Sequence, residues 1–384
     1  MSVARDDASA SRALFADLLS DIAEAAPRHD RDGTFPFENF DLLHQDRLLG
    51  LTVRGADGGG NAGLAETAEI VGAIGQACPS TALIFAIQSI HQKAIARSNR
   101  WPEHLRVRVG RSASGCGALI NALRVEPALG TPARGGLPET VARRTAEGWS
   151  ISGRKIYSTG SPGLTWMLVF ARTDETTPRI GQFLVRARSE GVRIEETWDH
   201  LGLRASGSHD VILDDVLVPE DHAVDLRPPA DWRQPDPLQA SWNAAIIGAL
   251  YTGVARAGRD WLTGFLNGRV PGNLGASLAT LPRMQEAVGT IEGLLAANTR
   301  LIGSIAAAHD RGDDFPPTET GLLKNVIAEN AISAVEQAVK LAGNHALSRT
   351  NPLERHLRDV LCSRVHTPQA DSAHIAAGRA ALGQ

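Results

Sequence analysis

Residues 147–187 read EGWSISGRKIYSTGSPGLTWMLVFARTDETTPRIGQFLVRA, and this stretch decides the architecture. WMLVFAR (166–172) and QFLVRA (182–187) are β-branched, aromatic runs bounded by turn residues, the pattern of strands. EGWSISGRKIY (147–157) predicts a hairpin that turns at Ser152-Gly153. VRIEETW (192–198) and DVILDDVLV (210–218) continue the period of two. Strands spaced this closely leave no room for crossover helices. They predict an antiparallel sheet or barrel, not βαβ units.

On either side the period changes. Leu14, Leu18 and Ile22 recur every four residues, one apolar helical stripe. A break at Asp30–Pro36 precedes a short helix over about 37–48, and the Gly58-Gly59-Gly60 loop leads into helices near 63–76 and 80–97. Beyond a proline-rich link at 227–237, alanine-rich helices are expected at 238–268, 280–312 and 317–346, with shorter ones near 353–363 and 368–381. The expected fold class is α+β: a helical domain at 1–112, a central antiparallel β-domain at 113–225, and a C-terminal helical bundle at 226–384.

Bulk properties narrow the function. The chain has 384 residues, 43% hydrophobic and 21% charged, the profile of a soluble globular protein of two or three domains. A net charge of −4 without a basic block argues against nucleic acid as a partner. No apolar run approaches the roughly 18–20 residues of a membrane span, and the acidic N-terminus lacks the apolar core of a secretory signal, so a cytoplasmic location is expected. Cys78, Cys116 and Cys362 are far apart and odd in number, so no metal site or disulfide framework is expected.

Four segments then become recognisable in order: RDGTFPFENFDLLHQDRLLGLTV with DGGGNAG, EGWSISGRKIYSTGS, TWDHLGLRASGSHDVILDDVLVP, and NPLERHLRD. Together they resemble the acyl-CoA dehydrogenase superfamily. The resemblance implies a flavin between the β-domain and the C-terminal bundle. It puts Tyr157 against the flavin, Ser158 and Thr159 near its reactive edge, and Leu123 and Val125 on a loop at its pyrimidine end. Arg204 and Ser208 are read either as part of that site or as turn formers.

The departures from the resemblance are informative. A dehydrogenase needs a carboxylate to take the α-proton. Its two family positions align here with Thr367 and Asn243, neither of which is a base at neutral pH. The segments that grip the adenine half of FAD align with Arg269–Gly275, which has two extra residues and Leu274 for the aromatic, and with Val339–Gly343, which has lost the Gln and one Gly; Arg269 and Gly343 remain. This favours FMN, or a flavin that arrives already reduced. Arg355-His356-Leu357-Arg358-Asp359 with His366-Thr367-Pro368 resembles instead the reduced-flavin monooxygenases of the dibenzothiophene monooxygenase type. That branch implies His366 as a proton-handling group of near-neutral pKa, with Asn121, Thr159 and His91 as further active-site residues. Thr367-Pro368 also reads as the start of the last helix. The expected function is a flavin-dependent oxidoreductase: a two-component monooxygenase on a small organic substrate, fed by a flavin reductase. The alternatives are an acyl-CoA dehydrogenase with a displaced base and a flavin-binding relative without turnover. A homotetramer, or failing that a homodimer, is expected.

Overall fold

The computed structural model describes residues 3–128, 136–233, 236–313 and 316–384. Gln234 and Pro235 of the proline-rich link, and Met1 and Ser2, lie outside the described residues. Five helices come first: α1 (Val3–Asp32), α2 (Phe37–Gln45), α3 (Leu64–Ala77), α4 (Pro79–Arg97) and α5 (Glu103–Cys116). Gly58–Gly63 spells G-x-G-x-x-G, but a 3-10 turn and not a strand precedes it, so no dinucleotide fingerprint results. Among the described residues eight strands follow: β1 (Leu119–Leu123), β2 (Val141–Thr145), β3 (Gly148–Ser158), β4 (Leu164–Thr173), β5 (Ile180–Arg186), β6 (Val192–Glu195), β7 (His209–Val218) and β8 (Ala223–Arg227). The C-terminal part comprises α6 (Pro237–Gly268), α7 (Pro282–Arg311), α8 (Pro317–Ala342), α9 (Asn344–Leu347), α10 (Leu353–Leu361) and α11 (Ala370–Ala381). No helix among the described residues is long and apolar enough to cross a membrane.

The strands form one sheet in the order β6-β7-β3-β2-β4-β5-β8, with β1 joined to β4. Most pairs are antiparallel, but β1 and β2 both run parallel to β4. The expected hairpin at Ser152-Gly153 is absent. Residues 148–158 form one strand, and the turn lies between β2 and β3. Gly153 serves close approach instead: a Cβ there would come 2.5 Å from Thr140 Oγ1, and the pairing with β7 slips beside it. Leu123, expected on a loop, lies on strand β1 together with Asn121.

Helix α3 packs directly on α6. A Cβ on Gly75 would sit 2.6 Å from the Leu250 carbonyl oxygen, and one on Gly253 2.2 Å from that of Gly72. Only glycine permits this backbone contact. One apolar cluster therefore runs from Leu18 and Val71 through Val169 and Phe183 to Leu250 and Val335, fusing helical layer, sheet and bundle. At the sheet, Lys155 is buried against Glu126 (2.6 Å), and Glu126 also accepts from the backbone N–H groups of Glu139 and Thr140. This ties the segment after β1 to β3.

Candidate flavin site

The end of β3 is the natural starting point. Its pairing with β7 slips between Lys155 and Ser158, a bulge that re-aims the chain. Tyr157 sits in this slip at φ 55°, a conformation non-glycine residues adopt only where the surroundings hold them, and the residue stays 54% exposed. Two rings meet it edge-on, Trp198 at 6.3 Å and His200 at 5.8 Å, and those two stack on each other at 3.7 Å. Trp198 is anchored by its indole N–H to the Leu203 carbonyl (3.0 Å). A rigid, uncovered aromatic face of this kind suits a planar ring system such as a flavin.

Past Tyr157 the donors gather. Ser208 Oγ donates to Thr159 Oγ1 (2.9 Å), and the Ser206 and Ser208 hydroxyls share a hydrogen bond of 2.8 Å. Asn121 Nδ2 donates to the Thr159 carbonyl (2.8 Å), and the same amide bonds His91. Burial, with help from Arg124, pushes His91 down to about 4, so its ring is neutral at pH 7. Three of the four expected catalytic residues, Asn121, Thr159 and His91, thus form one connected group. Ser158 Oγ is buried without a partner among the described residues, which makes it available as a donor if its surroundings adjust. Leu123 is buried, so any ligand contact there runs through its backbone, while the Val125 carbonyl is taken by the Ile156 N–H (3.0 Å).

His366 shares no hydrogen bond with that group among the described residues. Its Nε2 shares a hydrogen bond of 2.7 Å with the hydroxyl of Tyr251 on α6. Lys324 donates to the carbonyls of His366 and Pro368. Burial and then Lys324 push the imidazole down to about 3. The expectation of a near-neutral pKa is corrected: at pH 7 this is a neutral imidazole beside a phenol whose own pKa burial raises. Gln369 precedes α11 as its N-cap, so the reading of Thr367-Pro368 as the start of that helix is also corrected. Thr367 is exposed and Asn243 half-buried on α6. The nearby carboxylate Asp359 is buried and accepts the Leu203 N–H at 2.7 Å.

Arg269 and Gly343 lie at the other end of the bundle. Arg269 follows α6, roughly 27 Å along the helix from Tyr251. It covers Phe265, whose ring meets His345 just after Gly343. These two residues form a separate patch and do not join Thr159 within one chain. Tyr251 and Ser206 were missed by sequence reasoning. Ser206 lies inside the quoted segment TWDHLGLRASGSHDVILDDVLVP but was passed over for Arg204 and Ser208, and Tyr251 belongs to no motif.

Comparisons with known proteins bear on the family and the fold. Family models of the acyl-CoA dehydrogenase N-terminal, middle and C-terminal domains match residues 6–98, 124–216 and 245–369. The chain is 30% identical to YdbM of Bacillus subtilis, provisionally named an acyl-CoA dehydrogenase, over 93% of this chain and 92% of that protein. It is 31% identical to the indole-3-acetate monooxygenase of Pseudomonas putida, over 66% of this chain and 67% of the relative. Among solved structures, KijD3 in complex with FMN and dTDP-3-amino-2,3,6-trideoxy-4-keto-3-methyl-D-glucose superposes with a TM-score of 0.82 at 27% identity. That match covers 97% of this chain and 94% of KijD3.

Proposed function

From the premise that the chain belongs to the acyl-CoA dehydrogenase family, we propose that it is a reduced-flavin-dependent monooxygenase acting on a small organic substrate. One observation carries the reading: the two positions for a dehydrogenase's base are Thr367 and Asn243, while hydroxyl and amide donors converge on Thr159. Asp359 does not replace the base, because one of its oxygens holds the Leu203 N–H and the side chain is buried. A bound reduced flavin supplies the activation of molecular oxygen.

The chain's residues do the rest. Tyr157 offers a ring face to orient the flavin. Thr159, backed by Ser208 and by Asn121, presents polar groups at the reactive edge, where they stabilise developing negative charge. His366 and Tyr251 form a neutral pair that can hold and pass a proton at the imidazole Nε2 and the phenol oxygen. Both relatives named for a monooxygenase or solved with FMN support this reading. FMN is favoured because little of the adenine-gripping pattern survives around Arg269 and Gly343. A separate flavin reductase supplies it, and a homotetramer is the working assembly.

The test is anaerobic. Protein loaded with oxidised FMN or FAD is offered butyryl-CoA-type esters in one experiment and NADH plus a flavin reductase in another. Reduction only by the reductase, then oxygenated product on admitting air, is the expected result. Bleaching of the flavin by a CoA ester alone would establish a dehydrogenase instead.

A further inference from the structure

Leu203 lies in the left-handed region at φ 50°, where a leucine remains only if its surroundings hold it. Helix α10 does the holding. Asp359 accepts the Leu203 N–H at 2.7 Å, and Arg358 Nη1 donates to the Leu201 carbonyl at 2.9 Å. Arg358 is itself braced by Asp30 (2.6 Å) and Glu354 (2.8 Å). The turn pinned in this way reaches back to the sheet. Ser206 N–H donates to the Leu203 carbonyl (2.9 Å), and the Ser206 carbonyl accepts the Gly160 N–H (2.9 Å). The Gly207 carbonyl accepts from both the Ser161 N–H (3.2 Å) and the Ser161 hydroxyl (2.8 Å). The Ser206–Ser208 hydroxyl pair then completes the path to Thr159 Oγ1.

We infer that Asp359 is a positioning residue: through the 203–208 turn it sets Thr159 and the backbone of residues 159–161 without touching the reacting atoms. The argument is one of continuity. Every link from α10 to Thr159 is a hydrogen bond or a single turn of backbone, and the first link is a charge-assisted bond to a buried carboxylate. Removing it frees Leu203 from a strained conformation, and the turn carrying the carbonyls of 206 and 207 moves with it. The inference rests on the proposed function only for what Thr159 faces.

Hydrogen exchange on the flavin-free protein reads the tether directly, because the Gly160 and Ser161 amides donate to that turn. Asp359→Ala should speed exchange at residues 160–161 by about tenfold or more, while amides in the centre of α8 are unaffected. Asp359→Val fills the space without an acceptor and should behave as Asp359→Ala does, which separates the lost bond from a cavity. Asp359→Asn keeps an acceptor oxygen and should stay within about threefold of wild type. Unchanged exchange at 160–161 in the Ala and Val variants overturns the inference. So does an equal acceleration in α8, which would make Asp359 a general stabiliser. A second readout is the visible absorption band of bound FMN, expected to shift in Asp359→Ala and Ser208→Ala and not in Asp359→Asn. Faster exchange at 160–161 with an unshifted band would support the tether and count against the placement of Thr159 at the flavin, and so against the proposed function.

Discussion

Burial, nearly complete at His356 and partial at His366 and His91, favours the neutral imidazole, and this makes the fold sensitive to acid in a calculable way. His356 is 4% exposed and is pushed down to about 3, first by burial and then by Arg355 and Arg358. His366 is held at about 3 and His91 at about 4. In the unfolded chain an imidazole titrates near ~6.5. The folded pKa is depressed, so between those values the unfolded chain binds more protons. The stability contributed is complete above about pH 6.5 and is lost as pH falls. From pH 7 to 5 the loss is roughly 2 kcal/mol for His356, at about 1.4 kcal/mol per pH unit, and smaller for the partly exposed His366 and His91. Asp359 runs the other way. Burial raises its carboxyl to about 6, so acidification over the same interval returns roughly 1 kcal/mol. Denaturant midpoints at pH 7, 6 and 5, at one protein concentration, should show wild type losing several kcal/mol. His356→Gln should lose about 2 kcal/mol less than wild type, whatever its stability at pH 7. Equal losses in the two proteins would mean that native His356 takes up its proton over the same interval as in the unfolded chain, and would refute the argument.

Three other perturbations follow from the same geometry. Glu126→Gln leaves the buried Lys155 ammonium without its carboxylate and should cost about 3–5 kcal/mol in urea unfolding, with Lys155→Met restoring much of it; a cost under about 1 kcal/mol would contradict the burial of the pair. Gly153→Val forces a side chain against Thr140 and should cost about 1–3 kcal/mol by thermal melting, whereas a neutral result would mean that β3 and Thr140 separate readily. His366→Ala and Tyr251→Phe should each lower oxygenated product by up to roughly 10²-fold and raise hydrogen peroxide, with the wild-type ratio flat between pH 5 and 8; an unchanged ratio in both variants removes the pair from the site.

The parts of this molecule that were legible in the sequence are those whose signal is local. Strands β4, β5 and β7 and helices α4, α6 and α8 lie close to where periodicity puts them, because each buries a face at its own period. The misplaced hairpin shows where that logic ends. Ser152-Gly153 has turn composition, yet its glycine answers to Thr140 across the fold and not to a local reversal. The short strand β1 shows the same limit. LINAL runs parallel to β4, is buried almost throughout, and so carries no alternation to read.

The site follows the same division. Thr159 and Asn121 could be placed by resemblance, but the bond between them joins residues 38 apart and has no local signature. His366 shows most clearly why. Its sequence neighbours leave an ordinary imidazole, free to titrate near neutrality. The groups that change its character are Tyr251, 115 residues away on α6, and Lys324, 42 residues away on α8. Both are delivered by helices whose own sequence reports only an apolar face. The same packing that closes the bundle therefore draws His366 partly out of water and favours it as a neutral hydrogen-bonding partner. For this residue, burial by the fold decides the chemistry, and the motif decides only where that burial acts.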